Sequence, residues 1–91
     1  MTICKVIGHV WATKKEDSLN GLKLMIVQDD SPGRRSKATY VAADTVGAGI
    51  GEQVLVVSGS TARKAFGRDD VPADMAIVGI IDTLEVRREQ T

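Results

Sequence analysis

Short apolar runs, rich in β-branched residues, are separated along this chain by polar stretches that carry Gly, Pro and Asn turn signals. Thr2 to Thr13 reads as a first strand, with Gly8 in its middle marking a bulge or sharp bend. Leu22 to Gln28 is a second. The polar stretch from Lys14 to Gly21 ends in Asn20-Gly21, a strong turn signal, so these two strands read as a long-looped antiparallel hairpin. A short third strand near Thr39 to Ala42 follows the Pro32-Gly33 turn, and a fourth is Gln53 to Ser58. A fifth runs from about Met75 to Arg87, preceded by Val71-Pro-Ala-Asp74, where a single helical turn fits. Five short strands with no long amphipathic helix predict an all-β fold, a small five-stranded barrel with at most one or two short helical turns. No repeat, linker or low-complexity segment divides the chain, so residues 1–91 read as one barrel domain with a polar C-terminal tail from about residue 88.

The fifth strand carries a message about assembly. Ala76-Ile-Val-Gly-Ile-Ile81 is apolar at every position, and a strand points alternate side chains to opposite faces, so both faces need cover. The barrel core covers one. With no helices expected, a neighbouring subunit is the simplest cover for the other, which makes Ile77, Ile80 and Ile81 candidate interface residues. The alternative is a strand sheltered by the chain's own loops.

The block Asp44 to Arg63, DTVGAGIGEQVLVVSGSTAR, brackets the fourth strand between two loops of glycine and small residues. Gly47, Gly49, Gly51 and Gly59 suit tight turns, or a close approach by a ligand or another subunit. A dinucleotide fingerprint is excluded, because Gly47-Ala-Gly-Ile-Gly51 has the wrong spacing and leads into a strand, where phosphate cradling needs a helix N-terminus.

The order of several blocks resembles the EutN/CcmL family of bacterial microcompartment vertex proteins. The blocks are Lys5-Val-Ile-Gly8, Ala12-Thr-Lys14, Leu19-Asn-Gly-Leu-Lys-Leu-Met-Ile-Val-Gln28, the glycine-rich block above, and Ala76-Ile-Val-Gly-Ile-Ile-Asp82. The resemblance extends over roughly Thr2 to Val86. It implies an OB-like barrel that forms a homo-oligomeric ring, usually a pentamer with a hexamer as the alternative. Such a ring caps the five-fold corners of a shell built mainly from flat hexameric shell proteins, which places the chain in a microcompartment shell in the bacterial cytoplasm. Whether that shell is a carboxysome or another organelle is left open.

The resemblance also places Gly59, Ser60 and Thr61 near the ring axis, around a narrow central opening. Copies of one loop converge on an axis only if none carries a bulky side chain, and the Ser60 and Thr61 hydroxyls would give a polar rim. Without the resemblance, the same residues read as a plain exit from the fourth strand. Ala62 and Arg63 would lie at the subunit interface, where the Arg63 guanidinium could fork across a carboxylate of Glu52 or Asp82. A solvated arginine is the bland counterpart.

Composition agrees with a structural role. The 91 residues contain one cysteine, Cys4, so no intrachain disulfide is available, and nothing at the N-terminus has the charged-then-apolar pattern of a secretory signal. A domain this short buries only about 60% of its unfolded-chain surface, so a partner would help to stabilise it. No apolar run reaches the ~20 residues needed to span a bilayer, so no membrane partner is expected.

Twelve basic and twelve acidic residues balance, which argues against nucleic acid as a partner, and the local Arg34-Arg-Ser-Lys37 cluster reads as a solvated turn. The alternative function, an OB-like module for single-stranded nucleic acid or another ligand, would need exposed aromatics in a basic groove, and Trp11, Tyr40 and Phe66 are the only aromatics. The core is then expected from Val, Ile, Leu, Ala and Met.

No constellation for catalysis emerges. His9 is the only histidine, so neither a metal site nor a cofactor is expected, and by strand parity it groups with Lys5, Ile7 and Trp11. Cys4 reads as a small buried apolar residue, not a nucleophile. The pairs Glu16-Asp17, Asp29-Asp30 and Asp69-Asp70 read as solvated surface, and Ser58 and Ser60 lack a nucleophile-elbow pattern. The chain is not expected to be an enzyme.

Overall fold

The computed structural model describes residues 1–11, 22–33, 37–65 and 74–82, with the side chain of Arg63 left aside. The elements are β1 (Thr2–Val10), β2 (Lys23–Asp29), β3 (Thr39–Asp44), β4 (Gln53–Ser58), α1 (Gly59–Ala65) and β5 (Met75–Ile80). The strands close into a barrel in the order β1-β2-β3-β5-β4. All neighbours are antiparallel except the short parallel contact of β3 with β5. This is the connectivity of an OB fold, and closure removes every exposed sheet edge from the ring of strands.

The expected strands are all present, with β4 at its expected bounds. β1 runs to Val10 and β5 to Ile80, with Trp11, Ile81 and Asp82 outside the strands, while residues 12–13 and 83–87 of the two expected strands lie outside the described residues. The hairpin loop from Lys14, the residues Arg34 to Ser36, the turn at Val71 to Ala73 and the tail lie outside the described residues.

Alternation sets the core. Cys4 and Val6 of β1, Met25 and Val27 of β2, Ala42 of β3, Val54 and Val56 of β4 and Ile77 of β5 are buried together, with Tyr40 and Met75 packed against them. The fully buried set is aliphatic apart from the two sulfur residues Cys4 and Met25, close to the expected list. Among the described residues leucine is missing from it, because Leu22, Leu24 and Leu55 are only half-buried.

Two bulges interrupt the alternation. In β1 the pairing steps from Val6 opposite Val27 to Gly8 opposite Ile26, leaving Ile7 as the extra residue. The bulge expected at Gly8 is therefore present, and it overturns the parity argument for His9. An extra residue swaps the faces of everything beyond it. His9 now pairs with Met25, a core residue, and leaves the outward row of Lys5 and Ile7. In β5 a matching shift leaves Val78 as the extra residue between Ile77, opposite Val56, and Gly79, opposite Leu55.

Candidate assembly surface

The segment read as an axial loop is the first turn of a helix. β4 ends at Ser58, Gly59 turns the chain at φ 64°, and its amide donates to the Asp74 carbonyl at 2.8 Å. Only glycine adopts that left-handed backbone without strain. The seven residues Gly59–Ala65 then wind as α1, with Gly59, Ser60 and Thr61 exposed. Ala62, Arg63, Lys64 and Ala65 are good helix formers, a signal that the small residues before them obscure. Seven residues are also too few for a helical period to stand out.

This helix changes the argument from β5. Ala62 is fully buried and packs with Val57 and Ala76, with Val78 beside them, on the outside of the barrel. The chain's own helix thus shelters part of the second face that was expected to need a neighbour. Ile77, expected at the subunit interface, is fully buried in the barrel core, and Ala62 is fully buried under its own helix, so neither offers surface to a partner. What remains open beside them is Ile80, exposed at 36%, with Ile81 half-buried and Asp82 exposed.

The other glycine loop is explained by the chain itself. Asp44, at the end of β3, accepts hydrogen bonds from three successive amides: Val46 at 3.0 Å, Gly47 at 3.1 Å and Ala48 at 2.8 Å. Glu52 accepts from the Gly49 amide at 2.6 Å. Gly47 and Gly51 hold left-handed backbone, φ 82° and 94°. The uncovered amides are therefore capped by local carboxylates, which leaves no anion-binding concavity there.

The loop is also tied to β1, since Gly51 donates to the Val6 carbonyl at 2.8 Å and Val6 donates to the Glu52 carbonyl at 3.0 Å. Its Ala48 is fully buried in the core cluster, so the loop acts as a plug. Lys23 donates to the Ala48 carbonyl at 3.4 Å from the start of β2. Glu52, considered as a partner of Arg63, is thus engaged within its own loop.

The remaining chemistry is structural. Cys4 is fully buried, and its thiol pKa is pushed up to about 11, first by burial and then by the negative charges of Asp29 and Asp30. That suppresses the thiolate and agrees with an inert core residue. Asp29 is buried and accepts from the Ser31 amide at 2.9 Å, while Asp30 accepts from Gln53 Nε2 at 3.1 Å and lies 3.9 Å from Lys37 Nζ. The pair Asp29-Asp30, expected as solvated surface, is thus partly built into the barrel end. The His9 ring lies 5.8 Å from that of Trp11, which is 88% exposed.

Comparison with known proteins agrees with this architecture. Residues 1–82 match the family described as "Ethanolamine utilisation protein EutN/carboxysome". The chain is 48% identical to the carboxysome shell vertex protein CcmL of Synechocystis sp., covering 94% of this chain and 87% of that protein. It is 46% identical to the microcompartment shell vertex protein GrpN of Rhodospirillum rubrum, over 93% and 97% of the two chains. The solved structure of the GrpN pentameric microcompartment shell protein superposes with a TM-score of 0.83 at 44% identity, covering 94% of this chain and 100% of that one. The chain belongs to the EutN/CcmL family of microcompartment shell vertex proteins.

Proposed function

We propose that the protein is a structural component that forms a pentameric ring and closes the five-fold vertices of a bacterial microcompartment shell in the cytoplasm, catalysing nothing itself. The observation that carries this reading is the full-length similarity to a pentameric shell protein, at 44% identity and a TM-score of 0.83. A lattice of hexagonal tiles is flat, and five-fold units at its corners are what allow it to close. The role is therefore geometric, with hexameric shell proteins as partners.

Within the ring, Gly59, Ser60 and Thr61 at the start of α1 would face the axis, with Arg63, Ile80, Ile81 and Asp82 on the flank beside it. The exposure of the first three residues and their small size support that placement. The whole chain would act as a single barrel domain. Native mass spectrometry of the purified protein tests the ring: a mass of five chains is expected, and a monomer at micromolar concentration refutes it. Co-expression with hexameric tiles tests the vertex role. Closed shells should form with this chain present and open sheets or tubes without it.

A further inference from the structure

In the closed order β1-β2-β3-β5-β4, β5 stands between β3 and β4, parallel to the first and antiparallel to the second. The end of β3, the start of β4 and the C-terminal end of β5 therefore lie at one end of the barrel. The plug loop joins the first two, so it arches across the third. Both feet of the arch hold β5. The Thr45 amide and hydroxyl donate to the Ile77 carbonyl at 3.3 and 2.7 Å, and the Ile81 amide donates to the Gln53 carbonyl at 2.8 Å. The chain that follows Asp82 thus starts beside this arch.

The arch carries two large aliphatic residues that the barrel leaves uncovered, Ile50 at 60% exposure and Val46 at 41%. Neither is free to turn inward. The cap by Asp44 fixes the backbone at Val46, and the turn around Ile50 is closed by the Glu52 amide donating to the Gly49 carbonyl at 3.1 Å. Directly after Asp82 the sequence reads Thr83-Leu-Glu-Val-Arg87, a strict alternation in which Leu84 and Val86 fall on one face. That is the pattern of a strand with one side covered. An extended chain advances about 3.3 Å per residue, which puts Leu84 about 7 Å and Val86 about 13 Å beyond Asp82. Two aliphatic pairs in need of cover are therefore tethered within a few residues of each other.

We propose that residues 83–87 cross the plug loop of their own chain as a strap, with Leu84 and Val86 covering Ile50 and Val46. The chain's own segment is the occupant because the covalent link at Asp82 gives it an effective concentration that a separate partner does not match. The contact lies within one protomer and is independent of the ring.

The test is the paired variant Ile50→Cys with Leu84→Cys in the full chain, oxidised with oxidised glutathione in dilute solution and resolved on a non-reducing denaturing gel. Native Cys4 is buried and does not compete. A disulfide within single chains should form about ten-fold faster than in Ile50→Cys with Glu85→Cys, where the alternation turns the second side chain away. Leu84→Ser gives a second reading without new thiols. Amide exchange at Gly51 and Glu52 should rise about ten-fold, to the same extent at every protomer concentration, while β1 and β2 keep their protection. Equal linking rates for the two cysteine pairs overturn the strap, as does unchanged exchange in Leu84→Ser. Disulfides mainly between chains, or an exchange effect confined to high protomer concentration, also overturn it, since the tail would then lie on another copy. Slow wild-type exchange at Gly51 and Glu52 that appears only when hexameric tiles are added overturns it in favour of the tile.

Discussion

Asp44, the last residue of β3, holds the plug loop by three side-chain hydrogen bonds, so Asp44→Ala should loosen one end of the barrel while the backbone pairing of the strands is kept. Hydrogen bonds to a charged acceptor contribute about 1.5–3 kcal/mol each, so simple addition would give roughly 5–9 kcal/mol. That sum is too large, because the Val46 and Gly47 amides sit at exposed positions and water replaces the lost acceptor. The Ala48 amide is part-buried, and leaving it unpaired costs about 1–3 kcal/mol. If Ala48 is also drawn out of the core, its methyl adds about 0.8 kcal/mol. The expected loss is therefore about 2–4 kcal/mol.

Asp44→Asn should cost nearly as much, because an amide presents one acceptor oxygen where the carboxylate uses two. Urea unfolding at one fixed protomer concentration measures the loss, with the denaturant slope unchanged. Amide exchange should accelerate at Ala48 and Gly51 before it does in β2. A loss below about 0.5 kcal/mol, the scale of an ordinary surface substitution, would refute the plug.

Gly51→Ala should destabilise by about 1–2 kcal/mol in the same assay, since φ 94° is strained for any side chain, whereas Gly49→Ala, with ordinary backbone and only the Glu52 tip nearby, should cost little. Ile77→Ala should lower barrel stability by about 2–5 kcal/mol through a core cavity, with the thermal midpoint falling whether or not the ring is assembled. Cys4 should resist thiol reagents until the chain unfolds. Its folded pKa of about 11 lies above the ordinary 9.0, so the unfolded thiol ionises first, and stability present below pH 9 is lost as pH rises toward 11. The loss is about 2–3 kcal/mol, and the difference in pH slope between wild type and Cys4→Ala isolates it. Ser60→Trp, at an exposed position in the first turn of α1, should disrupt or plug the ring, and ring mass and thermal midpoint equal to wild type would remove Ser60 from the axis.

The strands, the barrel class and the inert cysteine were legible in the sequence, because alternation, turn residues and a lone thiol are local signals. So was the bulge at Gly8. Its consequence was not: one inserted residue inverts the parity beyond it, and only the pairing with Met25 shows that His9 has changed faces. The block of ordered motifs carried the family, while the use of each glycine lay elsewhere in space. The amides freed by Gly47 and Gly49 are capped by Asp44 and Glu52, and the loop is pulled against the core by Ala48 and by β1, about forty residues earlier.

The doubly apolar fifth strand correctly demanded cover on both faces. Periodicity could not say that α1 supplies part of it, because a single buried Ala62 in a seven-residue helix leaves no periodic trace. Local pattern therefore determined what each segment becomes. Closure of the barrel, through the contacts of β1 with β4 and β3 with β5, decided which faces remain exposed. Those pairings join residues far apart in the chain, and burial is a property of the closed surface they create.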